Sequence, residues 1–168
     1  MKRVYILLFV SMMLTSVMNA QEYGKFKLGL GGGLATGTSP SSSSEGQGLI
    51  LTLEPAYRAT DNLAIGLRLE GAAYGAGHAG IPGGYASITT SGQYYFRAEE
   101  FRPFVGFGLG SYMGSGEWAF GFYPRAGFDF GHFTVALEYN LIDSNTLSAS
   151  DFSYLSLRIG VFFFGGKN

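Results

Sequence analysis

From Leu49 to Phe163 the chain alternates with a period of two. In segment after segment one parity is apolar and the other carries the charges. Leu49, Leu51, Leu53 and Tyr57 alternate with Thr52, Glu54 and Arg58. Leu63, Ile65, Leu67 and Leu69 alternate with Gly66, Arg68 and Glu70, and Phe133, Val135, Leu137, Tyr139 and Leu141 with Thr134, Glu138 and Asn140. A period of two is that of a strand with two unlike faces. Turn residues divide the chain into eight such strands, predicted near 24–35, 48–59, 63–75, 84–97, 102–113, 117–130, 132–143 and 152–164. Short connections at Thr60-Asp61-Asn62, Ala98-Glu99-Glu100-Phe101 and Gly131 alternate with longer ones at 36–47, 75–83, 114–116 and 144–151.

The two parities have opposite chemistry throughout. One carries no charge in the eight segments apart from Asp143, the last residue of its segment. The other carries Lys25, Lys27, Glu54, Arg58, Arg68, Glu70, Arg97, Arg125, Asp129, Glu138 and Arg158. A soluble sandwich would need a second sheet to cover the apolar parity, and the chain has no strands left to build one. A barrel in lipid reverses the usual arrangement, with an apolar band outside and polar groups in the lumen. The pattern therefore predicts an all-β fold, an eight-stranded antiparallel up-and-down transmembrane β-barrel. Its strands match the roughly 9–11 residues that cross a bilayer with tilt. Apolar-parity aromatics gather near strand ends, as interfacial girdles do: Phe26, Tyr57, Phe96, Phe128, Phe130, Phe133 and Phe163 at one rim, Trp118 and Phe120 at the other.

Eight strands enclose a space that side chains fill, which disfavours open conduction. The eleven lumen charges, seven cations and four anions, are expected to form a mixed structural network, because buried ions must be paired. Gly29, Gly31 and Gly33 on the first strand, and Gly106, Gly108 and Gly110 on the fifth, leave room there for Arg and Tyr from other strands. Pro55 and Pro124 fall inside strands, each lacking a ladder donor, so bulges or nearer strand ends are predicted at both. Pro103 opens its strand and raises no conflict.

Composition agrees with this reading. Glycine is high at 27 residues, aromatics make up 16% and charged residues only 14%, a mixture too apolar for a disordered chain. Net charge is −1, or −3 once Lys2 and Arg3 are removed, which gives no support to a nucleic-acid partner. Cysteine is absent, which excludes disulfides, a thiol nucleophile and a lipoprotein-type attachment site. Lys2 and Arg3, the apolar run Val4–Leu14 and the small-residue exit Thr15–Ala20 read as a cleaved secretory signal. Eleven helical residues reach only about 16 Å, too short to span a bilayer. The expected organisation is a signal peptide over 1–20 and one barrel domain over 21–168.

The stretches LEPAYRATDNLAIGLRLEGAA (53–73), FYPRAGFDFGHFTVALEYNL (122–141) and YLSLRIGVFFFGG (154–166) resemble the small outer-membrane β-barrel domain family of Gram-negative bacteria. The resemblance covers essentially the whole mature chain and implies the architecture of the OmpX/OmpA-type eight-stranded barrels. One departure is the end of the chain, where Phe164 is followed by Gly165-Gly166-Lys167-Asn168 rather than closing on an aromatic.

No catalytic motif stands out. The glycine segments lack the spacing of a dinucleotide fingerprint and precede no helix, and neither GxSxG nor HExxH occurs. No cofactor or metal is expected. His78 and His132 are predicted on opposite rims, which rules out joint chelation. Small barrels include lipid A palmitoyltransferases with catalytic groups at the outer rim. By that analogy His78 with Ser41–Ser44, Asp143 or Asp151 offers an enzymatic alternative. The leading expectation is a non-enzymatic outer-membrane barrel in contact with lipid, with the four longer connections free to meet a surface ligand. A narrow channel or ligand-binding barrel is the third reading.

Overall fold

A computed structural model describes residues 24–37, 47–74, 84–96, 100–114, 117–143 and 152–164. Eight strands run β1 (Phe26–Gly37), β2 (Gln47–Arg58), β3 (Leu63–Tyr74), β4 (Gly84–Tyr95), β5 (Phe101–Gly114), β6 (Glu117–Phe130), β7 (Phe133–Ile142) and β8 (Phe152–Phe163). Each pairs antiparallel with its sequence neighbours, and β1 pairs with β8 to close the barrel. Every boundary lies within two residues of the one predicted from the alternation.

Closure carries a fixed stagger. From Lys25, whose carbonyl accepts the Arg58 N–H, ladder partners run through Ala64, Gln93, Gly106, Arg125, Glu138 and Ser156 to Ala35. One circuit thus advances ten residues along β1. Ten residues over eight strands tilt the strands by about 40° and leave a lumen that side chains fill.

The turn rim is built locally. Between β2 and β3 the Thr60 hydroxyl accepts the N–H groups of Asn62 and Leu63 at 3.3 and 3.0 Å, and the Asn62 amide reaches across to the Tyr95 carbonyl at 2.7 Å. This is a hydroxyl-capped turn tied to a neighbouring strand. Between β6 and β7 the two-residue turn Gly131-His132 has a positive φ of 56° at Gly131 and none at His132. The first central position of a type II′ hairpin turn demands such a glycine.

The proline expectation is corrected. Neither a bulge nor an early strand end occurs at Pro55 or Pro124. On the β1 side, Pro55 pairs in register with Leu28; on the β3 side the ladder lapses between Leu53–Leu69 and Ala56–Gly66 and resumes in the same register. Pro124 pairs with Phe107 on β5, and the β6–β7 ladder lapses and resumes likewise. In an antiparallel strand both backbone polar groups of a residue face one neighbour. A proline therefore interrupts a single ladder, and the unbroken ladder on its other side holds the register.

The exterior is apolar from rim to rim, with Leu51, the most exposed of the described large hydrophobic residues, at 72% exposure. All nine girdle aromatics predicted from the sequence are exposed. Thr90, an exterior hydroxyl, turns back to donate to the Leu109 carbonyl.

Two glycines of β5 are required by close approach. A Cβ at Gly108 would lie 2.2 Å from Tyr123 Cζ, and one at Gly110 would lie 2.2 Å from the Ile88 carbonyl oxygen. The first obstacle is a side chain, the second the backbone of a neighbouring strand, which cannot yield without breaking its ladder. Gly110→Ala is therefore expected to destabilise the barrel by about 1–3 kcal/mol in urea unfolding. Gly71→Ala, on the exterior with nothing within 4 Å of the new Cβ, is expected to show no loss.

Candidate functional site in the barrel lumen

Inward positions recur every second residue, and their chemistry is layered along the axis. In the middle, Arg68 of β3, Arg125 of β6 and Arg158 of β8 meet Glu54 of β2, Glu70 of β3 and Glu138 of β7. Glu138 is the hub. Its carboxylate takes a two-pronged pair from Arg68 (2.8 and 2.7 Å), Arg158 Nε at 2.6 Å and Arg125 Nε at 3.1 Å. The last two are ion contacts without hydrogen-bond alignment. Arg68 Nε reaches Glu54 at 2.5 Å and Arg125 Nη1 reaches it at 3.2 Å, while Arg158 Nη2 reaches Glu70 at 2.5 Å. Arg68 is 1% exposed and the Glu138 side chain 0%. Three cations and three anions balance within this group, as a desolvated network requires.

Toward the loop rim the lumen turns aromatic. Tyr85 and Tyr154 both donate to Glu70 Oε1, at 2.5 and 2.9 Å, and Tyr112 donates to Asn140 at 3.0 Å. These rings pack with Ala35, Ile50, Ala119 and Ile142 in one buried cluster. The guanidinium of Arg68 lies 4.1 Å from the centre of the Tyr123 ring. Tyrosine suits these positions because its ring fills volume while its hydroxyl satisfies a buried carboxylate.

Toward the turn rim, Lys27 pairs with Asp129 at 2.6 Å, and Tyr95 donates to the same carboxylate oxygen at 3.0 Å. Lys27 also stands 4.2 Å from the centre of the Phe162 ring. Arg102 lies 4.3 Å over Tyr95 and donates to the Asp61 carbonyl. Arg58 faces the same ring at 5.8 Å.

Of the eleven residues the sequence nominated, Glu54, Arg68, Glu70, Arg125, Glu138 and Arg158 come together in the middle layer. Lys27, Arg58 and Asp129 share the layer toward the turn rim. Lys25 stands just before β1 at the turn rim, its carbonyl bonded to the Arg58 N–H, and Arg97 lies outside the described residues. Arg102 was missed although it is only 2% exposed. Its parity matches that of Gly106, but it sits one residue from the strand end, where parity carries less weight. Among the described residues, the five inward tyrosines (Tyr85, Tyr95, Tyr112, Tyr123 and Tyr154) were also missed. The signal for them was available: inward positions favour Tyr where outward ones favour Phe.

The enzymatic candidates cannot be placed together. His78, Ser41–Ser44 and Asp151 lie outside the described residues. Asp143 follows β7 on the loop rim, its N–H bonded to the Phe120 carbonyl at 2.9 Å. His132 is exposed at the opposite rim, with Nδ1 3.0 Å from the Phe162 carbonyl oxygen. Among the described residues no group of three or more His, Cys, Asp or Glu side chains is arranged to hold a metal ion.

No family model matches the sequence. The curated proteins give no match either. Among solved structures the chain superposes on Neisserial surface protein A (NspA) with a TM-score of 0.63 and 17% identity, over 88% of this chain and 100% of that one. The outer membrane enzyme PagL superposes with a TM-score of 0.55 and 16% identity, over 80% and 98%. At such identities the likeness is one of fold. The expected all-β, closed eight-stranded antiparallel barrel is observed, with the architecture of the small outer-membrane barrels.

If Glu138 is the hub, removing its charge takes one carboxylate partner from each of three buried guanidinium groups and leaves three cations facing two anions. Glu138→Gln is expected to cost about 3–5 kcal/mol in urea unfolding. In a cycle with Arg125→Leu, the double variant is expected to lose less than the sum of the two single losses. Additive losses would show that the two side chains are not coupled.

Proposed function

We propose that this chain is an integral outer-membrane barrel, exported by a signal removed from residues 1–20, with a structural or surface-interaction role and no catalytic centre. The observation that carries this reading is the inversion of the fold. The ring of strands presents leucine and phenylalanine outward and holds its ionised side chains inside, in mutual contact. In water such an exterior would be a very large apolar patch on a monomer; in hydrocarbon it is the stable arrangement. A lumen filled by ion pairs and tyrosines acts as a core, which favours a scaffold over a conduit. On this reading the connections 36–47, 75–83, 114–116 and 144–151 are the parts that meet other molecules at the cell surface.

Leu67 faces outward halfway along β3. Leu67→Arg is expected to cost about 2–4 kcal/mol when the barrel is unfolded from phospholipid vesicles. A mature chain that stays dispersed in detergent-free buffer, or an arginine tolerated at no cost, would remove the membrane reading.

A lipid-modifying enzyme is the second reading. It is favoured by the likeness of fold to an outer membrane enzyme and by a histidine in the connection 75–83. Lipid A mass spectra from cells with and without the protein separate the two. Identical spectra are expected. A mass change that disappears with His78→Ala would assign an enzyme.

A further inference from the structure

The turn between β6 and β7 carries a histidine whose two ring nitrogens have different tasks. His132 is exposed at the turn rim. Its carbonyl accepts the Phe162 N–H at 2.8 Å, and its ring Nδ1 lies 3.0 Å from the Phe162 carbonyl oxygen. One residue thus holds both backbone polar groups of Phe162, and the ring supplies the second bond. The two rings also pack together, with centres 5.6 Å apart. A carbonyl oxygen only accepts, so Nδ1 carries hydrogen in every state that keeps this bond.

Fixing Nδ1 decides what Nε2 can be. While the ring is neutral, its single hydrogen is on Nδ1 and Nε2 is a bare acceptor. Once the ring gains a proton, Nε2 becomes a donor on a cation. An unrestrained histidine can present Nε2–H by moving its hydrogen; this one cannot without giving up the Phe162 carbonyl. The outer nitrogen therefore changes from acceptor to charged donor only by protonation.

The surroundings indicate what that nitrogen meets. Phe130 and Phe133 flank the turn, Phe163 and Phe164 follow the residue it holds, and all of them are exposed. A girdle of aromatic side chains marks the boundary between hydrocarbon and headgroups. His132 thus stands at the level of the headgroups, whose phosphates are acceptors that form short, charge-assisted bonds with a cationic donor. The charged side chains described on the neighbouring elements are Lys25 before β1, Lys27 of β1, Asp129 of β6, and Glu100 and Arg102 at the start of β5. Lys27 and Asp129 pair at 2.6 Å inside the lumen, and Arg102 lies over Tyr95. None of these is a histidine, the side-chain type that changes charge near neutral pH.

We propose that protonated His132 binds the phosphate of a lipid headgroup in the leaflet at the turn rim. Nε2–H donates to a phosphate oxygen while Nδ1–H stays on the Phe162 carbonyl, and the contact is released when the ring is neutral. The inference rests on the membrane reading above and makes the hold of the turn rim on its leaflet proton-dependent.

The test uses the full mature barrel with isotope-labelled histidine, reconstituted in vesicles of phosphatidylglycerol and phosphatidylcholine and studied by solid-state NMR. His132→Asn removes the His132 signals and so distinguishes them from those of His78. Nitrogen shifts report which ring nitrogen carries hydrogen at each pH. On the basic side of its transition, His132 is expected as the Nδ1–H tautomer; an Nε2–H tautomer would overturn the proposal. On the acid side, dephasing of the Nε2 signal by lipid phosphorus is expected, and it is expected to be lost on the basic side. Dephasing that is absent in acid, or unchanged across the transition, would overturn it. Inorganic phosphate added to the barrel in maltoside micelles is expected to give no such contact, and an equal contact there would overturn the assignment to a headgroup. Trp118, the single tryptophan of the chain and exposed on β6, keeps the membrane reading separate. If brominated acyl chains quench Trp118 and no phosphorus contact forms, this proposal alone fails. An unquenched Trp118 removes the membrane reading and the proposal with it.

Discussion

The rest of this molecule follows from one constraint: a strand ring with a hydrocarbon-like exterior can leave no backbone group unpaired. An open sheet has two edges of unpaired N–H and C=O groups, and only closure removes both. The β1–β8 ladder is therefore the contact on which the others rest. It also explains why the two mid-strand prolines are harmless. Each breaks one ladder over a few residues while the opposite ladder runs through, so neither changes the stagger that closure requires.

Closure then dictates where charge goes. With the exterior apolar, each ionised side chain between the rims must turn into a lumen too narrow for bulk water. There it needs partners from other strands. The middle layer meets this need with side chains from β2, β3, β6, β7 and β8, and Glu138 alone contacts arginines from three strands. Such a network is weak evidence for net stability, because desolvation opposes the Coulomb gain. Its stronger effect is on register. Slipping one strand by one residue would send its charges outward and its leucines inward, and would strand partners on several other strands at once. The apolar band and the ion network thus enforce the same register from opposite sides of the sheet.

The period-two alternation carried the strand count, the boundaries and the facing, because each depends on local pattern summed over a dozen residues. Pairing within the lumen was not readable in the same way. Which arginine meets which glutamate depends on the ten-residue stagger and on side-chain reach across the ring, and neither is a property of one strand. Arg102 was lost at a strand end for a related reason: parity is weakest where only one flanking residue supports it. The expectation at the prolines failed because it considered a missing donor without asking which neighbour that donor would have faced. The residues offered for surface chemistry, His78 and Ser41–Ser44 among them, lie in connections where no periodicity constrains position at all.

The two glycine tracts show how far composition can mislead when read one strand at a time. Gly29, Gly31 and Gly33 look equivalent to Gly106, Gly108 and Gly110, yet the lumen treats them differently. Against β5, the neighbouring strand β6 offers Tyr123 and Arg125, whose side chains fold over Gly108 and Gly106; Tyr123 Cζ comes within 2.2 Å of where a Cβ at Gly108 would stand. Against β1, Gly33 is crowded as well, by the Leu157 carbonyl oxygen at 2.5 Å and Arg158 Cγ at 3.1 Å from an added Cβ, but at Gly29 and Gly31 the neighbours offer shorter side chains or reach elsewhere. Thr52 approaches Gly31, Gly160 adds no side chain, and Glu54 and Arg158 extend toward the central carboxylates and guanidinium groups. One tract is thereby packed along its length, while the other is packed at Gly33 and borders a cavity only at Gly29 and Gly31. The deciding variable is the residue two strands' chemistry places opposite the glycine, and in a closed barrel that residue is set by the stagger rather than by the tract.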